Sequence, residues 1–392
     1  MRGFSVVLLL VTLAGSAPAQ NAITPSAATP NAVVPNAVSI AEFDQSLAKI
    51  QNLRDKEGAR WIAGMTLKGR PSAIDRARWQ AEFKGEKARL ALTAVGDIAE
   101  FLPPPESAIP DATVPAIATQ VKMIEQTASY IKQTLPRLPN LLAVRTTTRF
   151  EITTRKQLVQ QEETPRLNQS ISWQPKYEAL GTMNGQVLYF GGDWQFVVAY
   201  RDGQEVTQSQ IGDNRHPPPP GFETKGEFGP ILMTVFGDAL KGSITWSHWE
   251  KSTNGQLAVF HYSVPHDVSH YKVENASNGS IELPAYHGEF AIDPVTGAVY
   301  RIALTAEGSR SSASQESNIA VEYGPIEIGG RIYVCPVHGV AYSQPQLVDA
   351  MGNPLPAEEQ KKDSPHFLND ATFTHYRLFR SEVRILTDDA QH

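Results

Sequence analysis

His261, His266 and His270 lie close together in the sequence with Asp267 among them. Imidazole and carboxylate at such density raise the question of a metal site, which needs three or four ligands converging on one point at ~2.0–2.3 Å. On one continuous strand His266 and His270 share a face and His261 takes the other, while Pro265 interrupts that strand. No HExxH-type helix accompanies them, so they are read as solvated loop histidines and no metal ligand is assigned. Cys335 and His338 suggest a thiol–imidazole pair. Their odd separation puts the two side chains on opposite faces of a strand, although Pro336 intervenes. Neither a helix N-terminus nor a neighbouring cation is evident to activate the thiol, so Cys335 reads as a small buried residue. No Gly-x-Ser-x-Gly elbow, phosphate loop or dinucleotide fingerprint occurs, and Ala276–Ser280 is turn chemistry. The separation of paired carboxylates belongs to the fold, not the sequence. No catalytic residue and no cofactor is therefore assigned.

What remains is an aromatic set. Phe150, Trp194, Phe196, Trp246, Phe260 and Tyr300 fall in strand-like runs. They are core formers by default, and become the lining of a ligand cavity if the sheet they occupy curves around a hollow. Four consecutive prolines, Pro217–Pro220, read as a stiff connector into the helix that follows.

The elements that must position these residues are legible from periodicity. Ser39 followed by Glu42 fits a capping box, and Ile40, Phe43, Leu47 and Ile50 then recur at helical spacing to about Leu53. Further helices are expected over 72–83 and 86–102, the last stopped by Pro103–Pro105. Val121, Ile124, Ala128, Ile131 and Leu135 mark the clearest helix, running from Thr119. After Pro139–Asn140 the period becomes two. Leu142, Val144, Thr146, Thr148, Phe150 and Ile152 point one way, and the arginines and threonines between them the other, which predicts one buried and one wet face. Shorter alternating runs follow near 176–190, 194–200, 204–209, 243–250, 256–264 and 268–275. The turn Asp293–Gly297 then joins two strands, Gly329–Gly330 joins two more, and a last strand runs from Thr372 to Leu386. One helix is inserted at about 228–240. Connections this short make neighbouring strands antiparallel. The expected class is α+β: a helical N-terminal part, then a curved antiparallel sheet of about ten strands, as a half-barrel or open barrel.

Composition narrows the partners. Lys and Arg number 35 against 41 Asp and Glu, a net charge of −6, which gives no electrostatic footprint for nucleic acid. A single cysteine excludes an internal disulfide framework. Met1–Gly3 gives a short positive start, Phe4–Ala14 an apolar run too short to span a bilayer, and Ala17-Pro18-Ala19 a small-x-small cleavage pattern. Export, with residues 1–19 removed and no transmembrane span in the mature chain, is the expectation. Residues 20–38, rich in Ala, Pro and Asn, read as a disordered leader, 39–117 as a helical region and 118–390 as the sheet domain with its leading helix.

The order of helix, long first strand and meander, with the hairpin Gly288–Ile302 (GEFAIDPVTGAVYRI) and the pair Val321–Gly324 and Ile332–Pro336, resembles the half-barrel of bacterial periplasmic lipoprotein carriers and sensors, the LolA, LolB and RseB group. The likeness runs over roughly residues 118–387 and leaves 39–102 without a counterpart. It implies a concave apolar face that holds an acyl chain or hydrophobic peptide. The expected activity is binding of a hydrophobic small molecule or a lipoprotein without catalysis. The alternatives are an envelope structural or interaction protein with a filled barrel, and a hydrolase with dispersed acidic or histidine residues.

Overall fold

Two capping boxes start two of the first helices. Ser39 Oγ accepts the Glu42 backbone N–H ahead of α1 (Ile40–Ile50), and Ser72 Oγ accepts that of Asp75 ahead of α3 (Ala73–Glu82). The computed structural model describes residues 37–154, 177–211, 224, 226–253, 255–274, 281–308, 314–345, 355 and 365–379. All of these fall in one unit, Asn36–His392, whereas the leader before Asn36, the prolines 217–220 and the turn 276–280 lie outside the described residues. Between α1 and α3 stands α2 (Asp55–Ala63), a helix the periodicity does not announce. Its buried stripe is Gly58, Ala59, Ile62 and Ala63, with a single large apolar side chain, and Trp61 faces outward. α4 (Glu86–Ile98) buries Ala88, Ala91, Leu92, Ala94 and Val95, then tightens into a 3-10 turn, Ala99–Phe101, before the prolines. Small residues on α2 and α4 let the two helices approach closely. Ala37–Val38 (β1), expected to be disordered leader, instead pairs in parallel with Thr66–Leu67 (β2).

α5 (Ile117–Thr134) follows, and its buried seam is Met123, Thr127 and Ile131. The expected stripe is out of phase at its start, where Val121 is 50% exposed. The remaining strands are β3 (Leu141–Thr153), β4 (Glu178–Met183), β5 (Gln186–Arg201), β6 (Gln204–Ile211), β7 (Ser243–Ser252), β8 (Gly255–Val264), β9 (Val273–Glu274), β10 (Ile281–Glu282), β11 (Tyr286–Ile292), β12 (Val299–Glu307), β13 (Ser314–Ile328), β14 (Arg331–Pro345) and β15 (His366–Leu378). The inserted helix is α6 (Pro230–Ala239). β9 and β10 pair with each other, and the others form an 11-stranded antiparallel sheet in the order β4-β5-β3-β15-β14-β13-β12-β11-β8-β7, with β6 also on β5. β4 and β7 are its two ends, so the sheet is open. Among the described residues no helix is long and apolar enough to cross a membrane.

Both faces of the sheet are covered, which corrects the expected wet face of β3. On one face α5 and α6 pack through Met123, Ile131, Leu232, Val235 and Phe236 on Leu141, Val198, Phe260, Phe290, Ile302, Val321 and Phe373. On the other, α1–α4 pack through Phe43, Leu47, Ile62, Trp79 and Leu92 on Phe150, Ile152, Leu180, Leu188, Val340 and Leu368. Arg145, Arg149 and Glu151, read as solvent-facing, are only 9%, 4% and 1% exposed. Arg145 donates to Thr224 and pairs with Glu227, and Arg149 donates to Asn369 Oδ1, so protein groups rather than water face the two guanidinium groups.

Candidate functional site

Six consecutive strands carry charged or imidazole side chains in one row on the α1–α4 face. His261 (β8) stands opposite Glu289 (β11), Arg301 (β12) opposite Glu322 (β13), and Glu322 opposite His338 (β14). Asp370 on β15 reaches His338, with Oδ1 2.7 Å from Nε2. The helical layer closes over this row. Capping at Ser72 sets the phase of α3 and brings Arg76 down one turn later, where it donates to Glu322 and, from Nη1, to Glu100 Oε2 at 2.7 Å. Glu100, in the 3-10 turn after α4, takes Arg301 Nε on its other oxygen at 2.9 Å. Asp97, near the end of α4, places Oδ1 3.5 Å from His338 Nε2. Arg70, just before α3, donates to Glu250 on β7 at 2.8 Å.

Burial and charge pull these groups in opposite directions. Burial pushes the Asp97 carboxyl up, aided by the charge of Asp370, to about 7. Burial disfavours the His338 imidazolium, but hydrogen bonds to Asp370, Asp97 and Glu322 outweigh it and hold the ring well above its usual range. Glu322 is buried too, yet Arg76 and His338 hold it well below the usual carboxylate range. For Glu250, His248 and Arg70 overcome burial and bring the carboxyl to about 2.

Toward β7 and β8 the row opens into a cavity of about 640 Å³ between the sheet and the segments around Arg70–Asp75 and Pro104–Ala108. Two β-bulges shape it. Tyr300 is the unpaired residue between Val299 and Arg301, which face Ile292 and Ala291, and Val337 is the unpaired residue between Pro336 and His338. Both line the cavity, with Leu257, Ala291, Pro325 and Ile74 completing an apolar wall. Arg70, Glu250, Arg301 and Glu322 form its charged end. Arg70 Nε and Arg301 Nη1 are buried there without a hydrogen-bond partner, the nearest carboxylate to the latter being Glu289 at 3.7 Å.

The six aromatics do not converge. Phe150 lies in the α1–α4 core. Trp246 and Phe260 lie in the α5/α6 core, where the Trp246 ring meets Phe260 edge-on and Phe260 stacks on Phe290. Trp194, under the Arg149 guanidinium, and the half-buried Phe196 occupy every second position of β5 in line with Val198 and Tyr200. Tyr300 alone reaches the cavity. Of the histidines, His261 pairs with Glu289, and His270 caps onto Asp238 of α6 through both its backbone N–H and Nδ1. Cys335 is buried in the α5/α6 core, where burial pushes its thiol up to about 12, while His338 lies under α4. Among the described residues, Asp97, His338 and Asp370 are the one group that gathers three metal-ligating side chains. Sequence reasoning missed Asp97, Asp370, Arg76 and Glu100. The available signal was in the hairpin about Gly329–Gly330, which sets Glu322 against His338. No protein-family model matches this chain and no curated protein sequence matches it, so its site is read from its own residues.

Proposed function

We propose that this protein binds an amphipathic small molecule, an apolar chain with an oxygen-bearing head such as a fatty acid or acyl ester, in the cavity beneath the Arg70–Asp75 segment. One observation carries the reading. A cavity of about 640 Å³ joins an apolar wall to a charged end where two buried guanidinium N–H groups lack acceptors. That volume lies within the ~300–1,000 Å³ of small-molecule sites, and an acceptor on the ligand would supply bonds the chain does not. Burial of an acyl chain at roughly 25 cal/mol per Å² supplies affinity without covalent chemistry. This keeps the ligand class implied by the resemblance to the lipoprotein-carrier group, but moves the site away from the α5/α6 face, which its own helices cover. We place the activity in an exported protein, on the strength of the leader pattern in residues 1–19.

The test is titration with a fluorescent fatty acid, displaced by unlabelled fatty acid. Saturable binding is expected, with Ala291→Trp, which fills the cavity, weakening it at least tenfold, and Arg70→Gln weakening it less. Absence of saturable binding, or unchanged affinity in a folded Ala291→Trp variant, overturns the reading. The first of these outcomes, with the α5/α6 face filled, would favour an envelope interaction protein instead.

A further inference from the structure

We propose that Asp97, His338 and Asp370 together hold a divalent first-row transition-metal ion of the zinc or manganese class. The three come from α4, β14 and β15, and one ligand atom of each lies within 4.8 Å of the other two. At ~2.0–2.2 Å from a tetrahedral ion, neighbouring ligand atoms stand roughly 3.3 Å apart. Asp97 Oδ1 and His338 Nε2, at 3.5 Å, already have that spacing. The Asp370 oxygen, at 2.7 Å from the same nitrogen, has to move out by roughly half an ångström, a side-chain adjustment.

Three further features favour an ion over a merely hydrogen-bonded cluster. Asp97 is 1% exposed and its Oδ2 is buried with no hydrogen-bond partner, an arrangement that costs free energy until something positive faces it. His338 is oriented as a metal-binding histidine is. Nε2 faces the two aspartates while Nδ1 faces Glu322 Oε2 at 3.5 Å, and Arg76 holds Glu322 in turn. Such an outer carboxylate can keep the Nδ1 proton when Nε2, which here donates to Asp370, gives up its own to an incoming ion. Charge also balances in the loaded state: with the ring neutral and Asp97 ionised, the four carboxylates of Asp97, Glu100, Glu322 and Asp370 match a divalent ion plus the guanidinium groups of Arg76 and Arg301. Side-chain exposures of 15% for His338 and 12% for Asp370 leave a way in for the ion and for water at a fourth position. One imidazole with two carboxylates suits zinc or manganese better than calcium, which takes six to eight oxygens.

The experiment is calorimetric titration of the chelator-treated full chain with Zn²⁺ and Mn²⁺, with Ca²⁺ as control, and a thermal melt with and without each ion. One ion per chain is expected, with a raised Tm in zinc or manganese and none in calcium. Asp97→Asn should weaken binding at least tenfold and abolish the Tm shift. Asp370→Asn, on the more open side, serves if the first variant does not fold. Titration with Co²⁺ adds a direct readout, because its visible absorption reports imidazole and carboxylate ligation and should vanish in His338→Gln. The proposal fails if the chelator-treated parent chain binds no stoichiometric zinc or manganese, or if folded Asp97→Asn and Asp370→Asn variants bind as tightly as the parent. The latter result would mean that the ion binds elsewhere in the chain. Fatty-acid binding is read separately, so either proposal can fail alone.

Discussion

Glu250 shows how this molecule keeps charge inside. Its carboxylate accepts Arg70 Nη2 at 2.8 Å and lies 3.4 Å from His248 Nε2, with Arg301 acting from further away. Burial works against the anion, yet these partners bring its pKa to about 2 from the ordinary 4.5. Because the folded value is the lower one, the stabilisation is fully present above pH 4.5 and is lost as the pH falls from there toward 2. Its size is on the order of 3 kcal/mol. Glu250→Gln is therefore expected to lower the free energy of urea unfolding at neutral pH by roughly that amount. It should also flatten the part of the acid limb between pH 4.5 and 2 that Glu250 supplies. A series of urea titrations across that range checks both, and an unchanged acid limb would mean that other carboxylates control it. None of this is visible in the sequence, where Arg70 and Glu250 sit in different regions with no shared motif. The same holds for Asp97 and Asp370. A residue whose partner is supplied by tertiary contact leaves no local pattern, whereas His338 and Glu322, paired across a tight hairpin, leave a faint one.

Elements were more legible than residues because their signals are local. The capping box at Ser39, the period-two run of β3 and the turn Asp293–Gly297 all appear where expected. At that turn Asp293 accepts the Val295 N–H and the Thr296 hydroxyl, and Gly297 has φ +74°, so each turn residue has its own physical reason. Legibility failed where burial depended on a neighbour. The arginines of β3 read as solvent-facing because sequence alone does not reveal Glu227 or Asn369 waiting for them. α2 was missed because its buried stripe is made of small residues, which carry little hydropathy but set how closely the helix sits on β4. Gly181 on β4 measures that closeness. A Cβ there would stand 2.6 Å from the Ala63 Cβ and 2.9 Å from the Arg60 Cα. Gly181→Ala is expected to push α2 off the sheet and cost about 2–4 kcal/mol, with overpacking against backbone as the mechanism. Chemical denaturation measures the loss. Ala63→Gly in the same chain should return part of it by removing the closest of those contacts, and a Gly181→Ala variant of parental stability would show that the helix has room to move.

At the scale of the whole molecule, the antiparallel meander followed from short connections, but the strand order did not. β15, last in sequence, enters between β3 and β14, and β7 is reached from the opposite end of the sheet by way of α6. Hairpins are written in adjacent residues; the pairing of β3 with β15 is decided by which edges remain once the hairpins have formed. The expected hollow likewise gave way to a sheet clad on both sides, because the chain carries its own covering for each face. That cladding makes a prediction about cooperativity. The helices of 39–117 look from sequence like a separable region, but their core contains Phe150, Ile152, Leu180, Leu188, Val340 and Leu368 from the sheet. The ion pairs Arg70–Glu250, Arg76–Glu322 and Glu100–Arg301 also cross from one layer to the other. Detaching the layer would break these pairs and bring the apolar side chains of both layers into water, at roughly 25 cal/mol per Å² of apolar surface. Neither layer should therefore survive alone. Guanidinium unfolding followed by far-UV circular dichroism and by tryptophan fluorescence, which reports Trp79 in the helical layer and Trp194, Trp246 and Trp249 on the sheet, is expected to give coincident single transitions. The isolated segment 39–117 should show no cooperative melt. Two resolved transitions, or a folded isolated segment, would mean that the charged row is a docking seam between independent domains rather than part of a common core.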